Sequence, residues 1–343
     1  MWQRRGLKRN KQKPCQREEI IMNYVFSYYR ENDFDEIEEL ILASYKWEYP
    51  IWSISRHEFS LSIEPEFAGI KRGWERSTGV YRCKENNMLA ACVISEGNAG
   101  GDAFFLFDAE ERARDSSLIK EMLKFAKTGV SSVKENGSTR FVNLWTSNKY
   151  AAEAAEASGF ICGSTKEAVN ILPFNTPFHV QLPQGYSFAD GETTPDFYLS
   201  NTHMYSFNYS LDRIKNSEKA FHNLRKMKRY NKKLDLCVLD ENKRPVAMAV
   251  IWYDERMPYC ELEPLGVAWW ERRKGLATTI LHEASNRVME MYPNCKGMRG
   301  GDQPFYTAAG YEKKAEVPMY QWETDIYASW DPKSAHRDYS KDI

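Results

Sequence analysis

The sequence predicts an α+β fold, a mixed β-sheet flanked by helices, laid down twice in tandem. Three observations carry that expectation. Strand-like alternation and helix-like three-to-four-residue spacing follow one another along nearly the whole chain. The stretch from Cys260 to Tyr311 holds a strand, a basic turn with one glycine and then a helix. Two segments half a chain apart also close alike: Ala154-Ala155-Glu156-Ala157-Ser158-Gly159-Phe160 and Phe305-Tyr306-Thr307-Ala308-Ala309-Gly310-Tyr311.

A chain of 343 residues has room for two ordinary domains, and 42% hydrophobic with 14% aromatic content supplies their cores. The net charge of -1 gives no overall attraction to nucleic acid or membrane, so a charged partner has to be recognised locally. Seven scattered cysteines, none in a Cys-x-x-Cys pair, suit reduced thiols better than a disulfide framework or a zinc site. The six histidines contain no His-Glu-x-x-His, so no metal is expected. No apolar run reaches membrane-spanning length and the start lacks the apolar core of a signal peptide; the expected location is the cytoplasm.

Residues 1–23 read as a basic arm, with Arg4, Arg5, Lys8, Arg9, Lys11, Lys13 and Arg17 and no acid before Glu18. Such a composition suits nucleic acid but equally a solvated tail, and nucleic acid is not the expected partner. A first domain is expected over 24–174. It opens on a strand at Tyr24–Tyr29 and an amphipathic helix led by Asp33, from Phe34 to Leu42. Gly79–Lys84 and Leu89–Ser95 form a hairpin around Glu85-Asn86-Asn87, and Asp102–Asp108 is a strand containing Phe104, Phe105, Leu106 and Phe107. Leu118, Ile119, Met122, Leu123 and Ala126 share one helix face, and Arg140–Trp145 is another strand. Pro173-Phe174-Asn175-Thr176-Pro177 marks the linker.

A second domain is expected over 175–323. His179–Ala189 reads as an opening strand broken by a turn at Pro183-Gln184-Gly185. Helices follow at Phe197–Met204 and Lys219–Tyr230, then a hairpin of Lys233–Leu239 and Pro245–Tyr253 around Asp240-Glu241-Asn242-Lys243. From Pro258 to Val267, Leu262 alternates with Glu261 and Glu263 and the run closes on Leu265 and Val267, which makes a strand. Leu276, Ala277, Ile280, Leu281, Ala284, Val288 and Met291 mark the apolar face of the next helix. Residues 324–343 are a polar extension.

Between that strand and helix stands Arg272-Arg273-Lys274-Gly275-Leu276-Ala277-Thr278. A helix start leaves its first N–H groups without partners and carries partial positive charge, so a turn that admits an anion there makes a phosphate site. Gly275 removes the side chain at the point of closest approach, Ala277 keeps the next turn small, and the three cations add full charges. The expected ligand is a polyphosphate. Neither the Walker spacing nor the dinucleotide fingerprint is present.

Arg-x-x-Gly-x-Ala behind a strand containing Glu-x-Glu-Pro resembles the acyl-CoA signature of the GNAT acyltransferase superfamily, and Phe305–Tyr311 resembles the family's closing element. A strand, Arg30 and an Asp-led helix also resemble the way GNAT domains open. The resemblance implies acetyl-CoA as acyl donor, with its pantetheine arm bonded to the backbone around Leu265, Gly266 and Val267. It also implies a pyrophosphate seated on the amides from Arg273 to Thr278. Tyr306 matches the tyrosine that protonates the departing thiolate, and an ordinary pKa of about 10 keeps such a group protonated at neutral pH. A carboxylate near the strand takes the proton of the attacking amine. Glu263 lies nearer the region where the strands splay and is preferred, with Glu261 as the alternative; both also fit a solvated strand face or a salt-bridge pair.

The first domain reads as a copy without the chemistry. Glu111-Arg112-Ala113-Arg114-Asp115-Ser116-Ser117 falls where the second has Glu271 to Ala277, so Asp115 replaces Gly275, and Ala155 stands in the place of Tyr306. The first domain is therefore expected to be non-catalytic, packing against the second and walling the acceptor site. The function implied is N-acetyl transfer from acetyl-CoA to a primary amine by direct attack. Aminoacyl transfer from charged tRNA and a non-enzymatic CoA-binding sensor are the rivals. Tyr205, Phe207 and Tyr209 beside Asp254 and Glu255 would suit a cationic amine, small molecule or peptide. The sequence leaves the acceptor's identity open, and a homo-oligomer with it.

Overall fold

The computed structural model describes residues 19–21, 23–46, 52–62, 74–95 and 100–326. The cations from Arg4 to Arg17 and the extension beyond Ile326 lie outside the described residues. In the first half the order is β1 (Glu19–Ile21), β2 (Tyr24–Tyr28), α1 (Phe34–Ser44), α2 (Ile54–Ser62), α3 (Trp74–Ser77), β3 (Gly79–Cys83), β4 (Leu89–Ser95) and β5 (Asp102–Phe107). It continues with α4 (Ser116–Phe125), β6 (Ser132–Val133), β7 (Thr139–Trp145), α5 (Lys149–Ala157) and β8 (Ile161–Pro173). The second half contains β9 (Ser187–Asp190), α6 (Asp196–Phe207), α7 (Ile214–Leu224), β10 (Asp235–Leu239), β11 (Pro245–Trp252) and β12 (Cys260–Val267). It ends with α8 (Leu276–Met291), β13 (Gly297–Gly300), α9 (Pro304–Ala308) and β14 (Glu312–Asp325).

All these strands join one sheet in the order β1-β2-β3-β4-β5-β7-β14-β8-β13-β12-β11-β10-β9, with β6 on β7. The pairs β5–β7 and β12–β13 are parallel and the others antiparallel, so the sheet is mixed, with helices on both faces. The centre of this order is an exchange. The strand that ends the first half, β8, pairs with β13 of the second, and the strand that ends the second half, β14, pairs with β7 of the first. The two exchanged strands then pair with each other from Glu312↔Ile171 to Gln321↔Ile161. A division at 174/175 thus cuts the chain just behind β8, while in space β8 belongs to the seam between the halves.

Alternation decides which face each strand residue serves. Along β11, Ala247, Ala249 and Ile251 pack under α8 with Ile280, Leu281 and Ala284, whereas Met248, Val250 and Trp252 pack on α6 and α7 with Leu199, Phe221 and Leu224. A strand covered on both faces becomes apolar throughout, and all eight residues of β11 are buried. On β5, Phe105 and Phe107 face α4 while Phe104 and Leu106 face α1 and α2. The seam is apolar too: Val169 and Ile171 of β8 and Val317 of β14 share a cluster with Ile37 and Ile41 of α1.

Most elements expected from periodicity are present within a few residues of their bounds; the helix expected over Lys219–Tyr230 instead spans Ile214–Leu224, and three further differences stand out. Strand β8 was not anticipated, because its first residues, Ile161 to Lys166, are mostly exposed and show no apolar alternation. The strand expected over His179–Ala189 is confined to Ser187–Asp190, preceded by a turn closed by Tyr186 N–H on the Pro183 carbonyl. Asp33 does not cap α1; its carboxylate accepts the Arg30 N–H at 2.7 Å and pairs with Arg82 at 2.7 Å, holding the preceding turn instead.

Candidate active site

The site begins where two strands part. β12 pairs with β11 from Glu261 to Val267, but with β13 only at Cys260↔Met298 and Glu261↔Arg299. Past Glu261, no strand among the described residues pairs with β12 on its β13 side, so backbone groups there are available. The β11 ladder carries Ala249 opposite Leu265 and Ile251 opposite Leu262, which places one extra residue in β12 at Glu263-Pro264, a bulge. The Glu263–Pro264 peptide is cis. A cavity of about 1040 Å³ fills the cleft, lined along β12 by Glu263, Leu265, Gly266 and Val267.

Its far end is the basic turn, which contributes Arg272, Arg273, Gly275, Leu276, Ala277 and Thr278. Gly275 takes φ of 81° at the start of the 16-residue helix α8, with no side-chain hydrogen bond capping the helix. A Cβ added to Gly275 would meet nothing within 4 Å, so the glycine faces open space. Arg273 also lies in the left-handed region, with φ of 66°. Two such residues two apart curl the chain across the end of α8, where N–H groups at a helix start attract an anion.

The three cations of the turn have different work. The Arg272 guanidinium reaches the Ser206 carbonyl at 2.5 Å and the Val267 carbonyl at 3.3 Å, tying α6 to the end of β12. Lys274 lies off the cavity and bonds Glu271 at 2.7 Å and the Tyr186 hydroxyl at 3.1 Å; Tyr186 in turn donates to Glu271 at 2.5 Å. Arg273 makes no hydrogen bond or ion pair among the described residues, and so presents its charge to the cavity. Of the three cations expected at one anion, Arg272 and Arg273 line the cavity, Arg272 with its guanidinium engaged by backbone carbonyls, and Lys274 does not. Gly266 has a further reason to be glycine, since a Cβ there would lie 2.6 Å from the Ser206 side chain, too close for α6 to pack.

The two glutamates separate. Glu261 is 7% exposed, accepts from Tyr45 of α1's end at 2.9 Å and from Ser55 of α2 at 2.5 Å, and lies 4.0 Å from Arg299. It does not line the cavity and serves as a buried tie between the halves. Glu263 does line the cavity, near Tyr306. Tyr306 is pushed up to about 12, first by burial and then by the charge of Glu263. Its ring rests on the end of β13: a Cβ at Gly300 or Gly301 would meet the ring at 2.9 and 2.7 Å.

Several lining residues escaped sequence reasoning. Arg56 of α2 and Glu167 of β8, paired at 3.2 Å, reach the cavity from the first half, as does Trp145 at the end of β7. Nothing local in the sequence marks them. The Gly300-Gly301 pair was a visible signal of close packing. Of the aromatic and acidic residues expected near the acceptor, Phe207 lines the cavity, while Tyr205 packs on Trp270, Tyr209 stacks on His203, and Asp254 is engaged by Arg229 and Arg256. Among the described residues no group of three His, Cys, Asp or Glu is set to hold a metal ion, and no helix is long and apolar enough to cross a membrane.

No family model matches the chain, and no curated protein matches it. Solved structures do. A tandem GNAT protein from the clavulanic acid biosynthesis pathway, solved without acetyl-CoA, superposes with a TM-score of 0.58 at 13% identity, covering 88% of this chain and 98% of that one. A GCN5-related N-acetyltransferase from Sphaerobacter thermophilus gives 0.54 at 12% identity over 88% and 95% of the two chains. A GNAT-family acetyltransferase from Colwellia psychrerythraea gives 0.52 at 10% identity over 87% and 99%. With its mixed, splayed sheet and doubled element order, the chain has the fold of the GNAT acyltransferases, in tandem form.

Proposed function

We propose that the chain is an acyl-CoA-dependent N-acyltransferase, with acetyl-CoA as donor, a primary amine as acceptor and its active site in the second half. The observation that carries the reading is the uncapped, open start of α8 at Gly275 lying beside the unpaired edge of β12. The residues present fit such a donor. The helix start and Arg273 suit a diphosphate, and the backbone of Leu265, Gly266 and Val267 suits an amide-bearing arm that hydrogen-bonds as a strand would. Acetyl-CoA would supply an activated thioester.

The other roles belong to this chain. Glu263, on the cavity wall, accepts the proton of the acceptor amine so that neutral nitrogen attacks. Tyr306, protonated throughout the neutral range, donates a hydrogen bond to the departing sulfur. With its hydroxyl at about 12, full proton transfer to a thiolate of about 8.5 is uphill, so its contribution is charge stabilisation with the proton following as the thiol departs. Arg56, Trp145 and Glu167 make the first half a wall of the acceptor end. A polyamine, amino acid, antibiotic or peptide terminus would each satisfy this chemistry.

The test is calorimetric titration with acetyl-CoA, then thiol release on a panel of primary amines. Binding with amine-dependent release supports the reading. Binding without release on any amine points to a sensor, and transfer only from charged tRNA points to aminoacyl transfer.

A further inference from the structure

Behind the closed end of the same cleft lies a pair of thiols that the acyl-transfer reading does not use. Cys260 is the first residue of β12 and fully buried; Cys295 stands between α8 and β13 and is 5% exposed. Their sulfurs lie 3.5 and 3.3 Å from one acceptor, the Gly297 carbonyl oxygen. Sulfurs that share one acceptor oxygen are near neighbours, and a disulfide requires them at a bonded separation of about 2.05 Å. Cys260 is fixed in the ladder opposite Met298, whereas Cys295 belongs to neither a helix nor a strand, so the approach falls to the segment between Met291 and Gly297.

We propose that Cys260 and Cys295 form an oxidisable dithiol that a hydroperoxide closes to an intramolecular disulfide. The thiolate of Cys295 attacks one peroxide oxygen and the O–O bond breaks. The other oxygen leaves as hydroxide and is protonated to water, and Cys295 becomes a sulfenic acid. The sulfur of Cys260, giving up its proton, then attacks the Cys295 sulfur and displaces the sulfenic hydroxyl as a second water. The dithiol loses two electrons and the peroxide gains two, and no other co-reactant is needed. Cys295 suits the first step because the neighbouring Cys260 thiol holds it down to about 7, against the upward pull of burial, while Cys260 is raised by burial. Hydrogen peroxide is small and uncharged, which suits a sulfur with so little exposure. The site adjoins the two residue pairs that join β12 to β13, ahead of the point where the strands part.

The inference stands apart from the acyl-transfer reading, and its test needs no activity. The full-length protein is treated with hydrogen peroxide, its remaining thiols are alkylated under denaturing conditions, and it is digested without reduction. The expected result is a disulfide-linked pair of peptides carrying Cys260 and Cys295, a loss of two titratable thiols, and recovery of both with dithiothreitol. Cys295→Ser should abolish the link, and the mapping of the unmutated protein stands by itself should that variant fail to fold. The proposal is overturned if exposed Cys162 is oxidised while Cys260 and Cys295 remain free thiols, or if Cys295 proceeds to sulfinic acid without joining Cys260.

Discussion

The starts of α4 and α8 occupy equivalent places in the two halves, and only one is open. At α4, Asp115 caps the helix: its carboxylate accepts the N–H groups of Ser117 at 3.0 Å and Leu118 at 3.2 Å, and takes the Tyr24 hydroxyl at 2.9 Å. Those bonds hold Asp115 below the usual carboxylate range against the opposing effect of burial. At α8, Gly275 offers the same kind of amides nothing and faces open space. One helix start satisfies itself with its own anion, and the other is left to satisfy an anion from outside. On the proposed acyl-CoA reading, the second half keeps a ligand seat where the first half has a capped helix.

Exchanging the two residues should break the contrast, and the largest expected effect lies at the open turn. Gly275→Asp supplies a cap and a repelling charge, and aspartate tolerates the left-handed backbone better than most residues. Acetyl-CoA affinity measured by calorimetry should fall by at least about 100-fold, on the order of 3 kcal/mol. Unchanged affinity would end the phosphate argument. Next come the residues assigned to chemistry. Tyr306→Phe and Glu263→Gln should each lower kcat by roughly 10²- to 10⁴-fold while leaving acetyl-CoA affinity within about threefold. An equal loss of rate and affinity in Tyr306→Phe would assign that ring to binding or packing on Gly300 and Gly301.

Glu261 sharpens the contrast from the other side. It and Glu263 are two apart on one strand, yet Glu261→Gln should cost about 1–3 kcal/mol in urea unfolding, since it disturbs the bonds with Tyr45 and Ser55, with kcat retained. A collapse of kcat in a stably folded Glu261→Gln protein would restore it as the base. Smaller still is Asp115→Ala, which should remove about 1 kcal/mol of stability as a lost cap and confer no measurable acetyl-CoA binding at α4.

Much of this was legible because its signals are contiguous. The turn from Arg272 to Thr278 announces itself within seven residues, and α8 through its spaced Leu276, Ile280, Leu281 and Ala284. Asp115 in place of Gly275 was equally readable, since a cap acts within three residues. The exchange of β8 and β14 was not, because local alternation reports that a strand has a buried face and not which strand lies beside it. Arg56 and Glu167 were hidden for the same reason, reaching the cavity only once that exchange is made. The parity rule put both glutamates on one side; the extra residue at Glu263-Pro264 breaks the count and separates them.

How the halves are held together gives the last prediction. Arg229, which follows α7, is surrounded by Glu38 of α1, Glu58 of α2 and Asp254 of the loop after β11. Lys228 adds a second, exposed cation near Glu38, and His57 is kept neutral by burial, down at about 4. Arg256 holds Asp254 ionised, well below the usual range. Two fully buried carboxyls beside one guanidinium cannot both ionise cheaply, and Glu58 is pushed up to about 8 by burial and by its hydrogen bond with Glu38. The folded chain therefore keeps a proton that the unfolded chain releases near 4.5, so this group's contribution is complete below that pH and is lost as pH rises through about 8. Between pH 6.5 and 8.5 the folded protein should lose stability relative to Glu58→Gln, which carries no titrating carboxyl there and shares the His57 titration, so that the comparison cancels it. Thermal midpoints of the two proteins followed across that window check it. Parallel curves would mean that Glu58 is already ionised and that Arg229 balances both glutamates.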